Sequence, residues 1–416
     1  MAEVLLLTLV FPPDAVSTAH VLGDLAMDLV KRGHKVTVLT TTPHYNRDPI
    51  AESVQPLKKY WGRLLFQSDY NGIPVYHTAM PRKGKNALLR VLSWANFHVL
   101  STIAGLTVIP KPDIIIVPSP PLTIGLSAYL LGRVRHLPYI YNVQEIYPDI
   151  AIHLGLLKNR LLIQSLFKLE RFIYDHATAI TVISPMMQKK LLAKRVSQDK
   201  IRLIPNFVDV HFFRPLQKDN AFSRQHNIHN KFVITYAGNM GPAQGLTHFI
   251  QAAALLRDEP KVHFMMMGDG ILRETFQQQV AQLCLPHFTF LPYQPYSLMP
   301  EIYAASDLSF VSLAADIGDT AIPSKIYRIL ACARPVLVAS GESSDLSTLV
   351  KQVGCGVVVR PGSAQALADE IRNLITNRVL LEQMGKQGWE HVVENYTRDV
   401  IADRYDQLIR ESIAKG

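Results

Sequence analysis

The sequence predicts an α/β protein of two domains, each a parallel sheet covered by helices on both faces. Three observations lead there. The chain has 416 residues, too many for one ordinary core and suited to two of about 150–200 residues each. Short continuous apolar runs alternate with helical patterns, as strand–helix–strand units do. The alternation lapses once, in an irregular stretch near residues 206–230, and then restarts. With 48% hydrophobic and 19% charged residues, the chain is too apolar to be disordered.

The elements follow in order. Val4–Val10 reads as a first buried strand. Glu3, the lack of a basic leader and the early Pro12-Pro13 argue against a secretory signal. A helical pattern runs from about Ala19 to Arg32, Gly33-His34 ends it, and Lys35–Thr40 is the next strand. His34 there reads as structural. Further strands are expected at Ile73–His77, Ile114–Val117, Tyr139–Val143, Ala179–Ile183 and Ile201–Pro205. Their runs do not alternate, which fits strands covered on both faces. In the second half, strands are expected at Phe232–Tyr236, Val262–Met267, Thr289–Leu291, Leu308–Ser312 and Val336–Ala339. Helices are expected at Leu246–Arg257, Ile271–Leu283, Met299–Ala305, Ser324–Cys332, Ala364–Thr376 and Asp399–Ile413.

Composition narrows the function. Cys284, Cys332 and Cys355 lack metal-ligand spacing and sit in apolar or small-residue context, so a disulfide framework is not expected and a reducing compartment is. The net charge is +9, with residues 1–214 at +11 and the remainder at −2. A basic first half is either a solvated surface or a region that meets an anionic membrane or a phosphate-bearing acceptor. Arg82, Lys83, Lys85 and Arg90 precede an uncharged stretch, Val91–Pro110. That stretch contains Asn96, His98 and Gly105, and reads as a buried or interfacial helix rather than a membrane span. No nucleic-acid module is visible, so no nucleic-acid partner is expected.

Open parallel sheets bind ligands beyond the carboxyl ends of their strands. Four segments of the second half fall there. In YAGNMGPAQGL (236–246), Gly238, Gly241 and Gly245 allow close backbone approach, and a helix start offers amides to phosphate. Gly268-Asp269-Gly270 closes a neighbouring strand, and Tyr293 either lines a base pocket or packs. For both glycine segments, simple turns are the competing reading. The fourth segment, 319–340, is the most specific. Pro323 sets a turn, Ser324 is expected to cap a helix, and Lys325 stands in its first turn, where a cation is disfavoured unless it faces an anion. In the first half, residues 11–20 (with Ser17, Thr18 and His20) form a loop into a helix at the ligand edge. Glu145 and Asp149 follow an apolar strand. A carboxylate there accepts a proton from an acceptor hydroxyl, or else serves as a cap or salt bridge.

RGHKVTVLT, YAGNMGPAQGL, GDG, AASDLSFV, IPSKIYRILACARPVLV, GCGVVVRPG and the terminal helix occur in an order that resembles retaining glycosyltransferases of family 4. The resemblance spans nearly the whole chain. It is nearest to the branch that holds N-acetyl-L-fucosamine transferases of bacterial surface-polysaccharide assembly. It implies the GT-B fold: two facing Rossmann-like domains with a deep interdomain cleft. The first domain, 1–207 with a terminal helix at about 397–416, would take a lipid-linked or saccharide acceptor. A linker, 208–230, would lead to the second, 231–396, which would hold a nucleotide-sugar donor, most simply a UDP-sugar. The resemblance further implies retention of configuration, no metal and no cofactor, and a cytoplasmic enzyme at the inner face of the cell membrane.

Two departures stand out. The family's diphosphate-binding Arg and Lys correspond to Asn239 and Gln244 here, and its Glu-x7-Glu pair to Thr320 and Arg328. Lys325 and Arg328 would restore the lost positive charge, and Asp316 or Asp319 would stand in for the first glutamate. Nucleotide-sugar epimerases, phosphorylases and non-catalytic transferase-like subunits share the architecture. A dinucleotide-dependent dehydrogenase is disfavoured because no G-x-G-x-x-G follows the first strand.

Overall fold

The computed structural model describes residues 1–14, 16–45, 48–81, 87–153, 155–314 and 322–415. The chain divides into two compact units, Met1–Asn206 with Arg398–Gly416, and Phe207–Thr397. The first contains β1 (Glu3–Leu7), β2 (Lys35–Thr41), β3 (Lys58–Trp61), β4 (Leu65–Tyr70), β5 (Ile73–Thr78), β6 (Ile114–Pro118), β7 (Tyr139–Val143), β8 (Ala179–Val182) and β9 (Ile201–Leu203). They lie in the order β3-β4-β5-β2-β1-β6-β7-β8-β9. All neighbours are parallel except β3–β4 and β4–β5. Every residue of β6, β7 and β8 is buried. That explains their unbroken apolar runs, because helices cover both faces of such a sheet.

The second unit holds β10 (Phe232–Ala237), β11 (Val262–Met267), β12 (Phe288–Leu291), β13 (Leu308–Ser312), β14 (Val336–Ala339) and β15 (Gly356–Val359). Their order is β12-β11-β10-β13-β14-β15, and every pair is parallel. One face buries Phe249, Phe264 and Phe310, with Phe249 stacked 4.7 Å from Phe310. The other buries Phe213, Val311, Tyr327 and Val338. Each such side chain contributes about 1.5–3 kcal/mol on leaving water.

Several expectations change. β1 stops at Leu7, because the Thr8 hydroxyl donates to Val10 O (3.0 Å) and turns the chain early. The β3–β4 hairpin was not expected; β3 is exposed along its whole length and carries no apolar periodicity. Residues 208–230 are no bare linker. They belong to the second unit, bury Phe213 and Phe222, and form the short helix Ala221–Gln225. Val91–Pro110 largely falls in the helix Ala87–Thr107, which buries Phe97, Ser101 and Ala104. His98 of that helix contacts Thr123 Oγ1 at 2.7 Å and Ser127 Oγ at 3.2 Å. No helix among the described residues is long and apolar enough to cross a membrane. Among the cysteines, all three are free thiols.

The terminal helix Arg398–Lys415 packs on the helix Ser17–Lys31 of the first unit. Arg398 drives this docking. Its guanidinium donates to Asp28 at 2.7 and 2.9 Å and to Asp24 at 2.8 Å. His34 Nε2 meets Asp406 at 2.6 Å, and Asn142 donates to the Tyr405 hydroxyl at 3.0 Å. The Asp28 side chain is 1% exposed and depends on Arg398 together with Lys31, whose Nζ donates to it at 3.1 Å. Arg398→Ala leaves the buried Asp28 with Lys31 as its remaining cation and should cost the first unit about 1–3 kcal/mol. Denaturant unfolding checks this, and Arg398→Lys should recover only part of the loss.

Candidate functional site

Strand order reverses between β10 and β13 in the second sheet, and between β1 and β6 in the first. Open parallel sheets offer a crevice at such a switch point, beyond the carboxyl ends of the strands. In the second unit that rim is built from two glycine loops and the start of one helix.

The loops lie back to back. Gly238 N donates to Met267 O at 2.9 Å, Met240 N to Asp269 O at 2.7 Å, and Leu272 N to Met240 O at 3.1 Å. Such closeness requires glycine. A Cβ on Gly268 (φ +130°) would stand 2.0 Å from Gly238 O, and one on Gly270 (φ +153°) 2.4 Å from Met240 O. Both φ values lie where L side chains are strained. The amides of Gly238, Met240, Gly241, Gln244 and Gly245 all reach protein oxygens. Most of the loop amides expected to greet a phosphate are therefore spent on the fold.

A cation lies beside the first loop. Lys325 opens the helix Lys325–Ala331 and is half-buried. Its ammonium lies 4.4 Å from the centroid of the Tyr236 ring and 2.5 Å from where a Cβ on Gly238 would be. Among the described residues it pairs with this ring and with no carboxylate. Desolvation, reinforced by repulsion from Arg328, pushes its pKa down to about 8. The Tyr236 hydroxyl donates to Asn239 O at 2.6 Å, which ties the ring beneath the ammonium to the first loop. Arg328 lies 5.6 Å from the Phe213 ring centroid and 5.5 Å from that of Tyr296, held by cation–π attraction. Ser324 differs from expectation. Its backbone is already helical (φ −57°, ψ −21°), and its side chain makes no capping bond.

The other second-unit candidates gather around this pair. Asn239 and Asp269 are exposed at the loop tips, and Gln244 is half-buried, accepting from Gly241 N at 3.2 Å. Tyr293 is exposed beside Asp269; partial burial first, then that carboxylate, raise its pKa. Pro323 is half-buried just ahead of Ser324. Asp316, Asp319 and Thr320 lie outside the described residues. Tyr236, Phe213 and Tyr296 went unnoticed in the sequence, where an aromatic in a strand or loop looks like core.

In the first unit, Ser17, Thr18 and His20 are exposed at the start of the helix after β1. Glu145 and Asp149 follow β7, but their surroundings differ. Lys194 binds the Asp149 carboxylate together with both Glu170 oxygens, at 2.7 and 2.8 Å from the latter. Asp149 is therefore occupied by an ion pair. Glu145 is half-buried, and desolvation raises its pKa above the usual carboxylate range. Lys194 and Glu170 had no motif to announce them. Among the described residues, no group of three or more His, Cys, Asp or Glu side chains is placed to hold a metal ion.

Comparison with known proteins agrees with this architecture. Residues 18–206 match the Glycosyl transferase 4-like domain, and residues 218–391 match Glycosyl transferases group 1. A protein of Escherichia coli K12 named as a colanic acid biosynthesis glycosyl transferase, WcaI, is 26% identical over 373 residues, 88% of this chain and 90% of that one. WbjE of Pseudomonas aeruginosa, named as a glycosyltransferase, is 23% identical over 342 residues, 81% of this chain and 84% of its own. Among solved structures, Anabaena Alr3699/HepE in complex with UDP superposes with a TM-score of 0.74 at 16% identity, covering 98% of this chain and all of that one. Sucrose-phosphate synthase from Thermosynechococcus elongatus gives 0.75 at 17% identity, with full coverage of both chains. The chain is a glycosyltransferase of the GT-B fold, with a glycosyl transferase 4-like domain followed by a group 1 domain.

Proposed function

We propose that this enzyme moves a sugar from a nucleoside diphosphate donor, most simply a UDP-sugar, to a lipid-linked or saccharide acceptor in bacterial surface polysaccharide assembly. Configuration is retained and no metal takes part. The fucosamine-transferase branch is the nearest model for the donor. One observation carries the reading: the half-buried ammonium of Lys325 at the carboxyl-end rim, paired with an aromatic face. A charge held that way is poised for an incoming anion. The similar proteins lend support, since Alr3699/HepE has been solved with UDP, with UDP and glucose, and with UDP-glucose, and WcaI is named for colanic acid biosynthesis.

The chemistry follows from charge. The bond between the anomeric carbon and the diphosphate oxygen breaks, and the leaving diphosphate gains negative charge. Lys325 and Arg328 stabilise that charge where it develops. Asn239, Gln244 and Asp269 contact the donor's polar groups. Gly238, Gly268 and Gly270 keep the rim open, Pro323 and Ser324 set the backbone beneath Lys325, and Tyr293 lies against the base. The acceptor hydroxyl, held by Ser17, Thr18 and His20, attacks on the face the diphosphate leaves. Its proton passes to Glu145, whose carboxylate burial makes a stronger base than a solvated one.

Three outcomes are expected. Lys325→Ala should lower turnover by about 10²–10³ with unfolding unchanged; steady-state kinetics beside a melting curve decides it, and wild-type turnover would remove Lys325 from the site. The free lysine is cationic below about pH 8 and loses its charge as pH rises through that value. A bound diphosphate favours the charged form. UDP binding at pH 9 should therefore take up about one proton, and about a quarter of one at pH 7.5, where the terminal phosphate of UDP (pKa about 6) is already ionised. Calorimetry in two buffers of different ionisation enthalpy measures this, and Lys325→Arg should abolish the uptake. Glu145→Gln should lower kcat about 10²-fold while the UDP dissociation constant stays as in the wild type; titration and kinetics together test that split.

A further inference from the structure

The β3–β4 hairpin plays no part in the site described above, and its composition is unusual for a sheet edge. Lys58, Lys59, Tyr60, Trp61, Gly62, Arg63 and Leu64 run in sequence, and all are exposed. Tyr60 is 50%, Trp61 48% and Leu64 48% exposed. The short helix Pro49–Val54 just before it adds Ile50 and Val54 at 77% and 80%. β3 is the edge strand, and its register with β4 shifts between Lys59 and Trp61. Lysines and a bulge on an edge strand are explained by protection against edge-to-edge pairing. That does not account for a tryptophan and a leucine at the tip, since exposed apolar groups invite the pairing that lysines discourage.

The tip has a defined place. Leu65 pairs with Thr78, the last residue of β5, and Ala79 N donates to Leu64 O at 2.9 Å. The turn therefore lies at the carboxyl edge of the first sheet, the edge from which the Ser17 and Glu145 segments also emerge. Asp48 is engaged by the fold, capping the helix Pro49–Val54 through Ile50 N and Ala51 N, and Asp69 lies at the opposite end of β4, where it accepts from Gly72 N at 2.8 Å. The segment Lys58–Leu64 carries three cations and no acid.

We propose that this hairpin tip docks on an anionic lipid bilayer. Tryptophan and tyrosine settle at the depth of the headgroups, Leu64 enters the acyl boundary, and Lys58, Lys59 and Arg63 meet lipid phosphates. An acidic glycan would satisfy the cations but would leave the aliphatic groups in water, so the bilayer fits the whole set. The docking deepens the functional reading and rests on it in one respect, namely that a lipid-linked acceptor is presented at this edge.

The test uses the full-length protein with vesicles of phosphatidylcholine, with and without phosphatidylglycerol. Binding should appear on the anionic vesicles only, fall with added salt, and shift Trp61 fluorescence to the blue; Trp61→Phe identifies that signal against Trp94 and Trp389. Lys58→Ser/Lys59→Ser/Arg63→Ser should weaken binding about a hundredfold, at about fivefold per cation. Trp61→Ser/Leu64→Ser should weaken it at least tenfold, with wild-type melting and wild-type UDP affinity. Equal binding to both vesicles, binding unaffected by either variant, or capture by an acidic polysaccharide but not by vesicles would overturn the proposal. Vesicle binding without sugar transfer from any nucleotide sugar would refute the function and leave the docking standing. Transfer to a water-soluble acceptor without vesicle binding would do the reverse.

Discussion

A positive charge that the fold half-buries, with no carboxylate paired to it among the described residues, is the constraint on which the candidate site depends. Removing an ammonium from water is costly, and here the return among the described residues is an aromatic face. The consequence is a lowered pKa and a local positive potential. The glycine loops make this arrangement possible. Without a side chain at Gly238 the lysine can lie flat against the loop, and without side chains at Gly268 and Gly270 the two loops can lace together beneath it.

The loop amides show how a fold divides its hydrogen bonds. Glycine-rich turns at the end of a strand invite the idea of a phosphate cradle built from backbone. Here the same amides join one loop to the next and hold the rim in shape. Rigidity is supplied by backbone and charge by side chains. A transferase that lacks the family's usual cations in the first loop can therefore retain a positive rim, provided another element brings one in. The helix Lys325–Ala331 does so twice, with Lys325 and Arg328 one turn apart on the same side.

In the first unit the two carboxylates after β7 illustrate how tertiary partners sort residues that look alike in sequence. Lys194 reaches Asp149 and Glu170 from the helix Pro185–Ala193 and its end. Glu145, four residues away, meets no such cation among the described residues and is desolvated. The same sorting explains His34. Its place at the end of a helix was legible, whereas its partner, Asp406, comes from the far end of the chain.

The sequence by itself determined the parallel α/β class, the restart of the pattern after residue 206, and most strand positions, because burial on both faces writes an unbroken apolar run into every central strand. It also pointed to Lys325, since a cation in the first turn of a helix is locally unfavourable and asks for a reason. Only the tertiary structure decided that residues 208–230 fold into the second unit, that Tyr236 underlies Lys325, and that Asp149 is consumed by Lys194. It alone revealed β3, whose exposed residues carry no periodic signal. The physical reason is common to all of these: periodicity reports how one segment meets solvent and core, while the choice of a side chain's partner depends on segments remote in sequence, which no local pattern encodes.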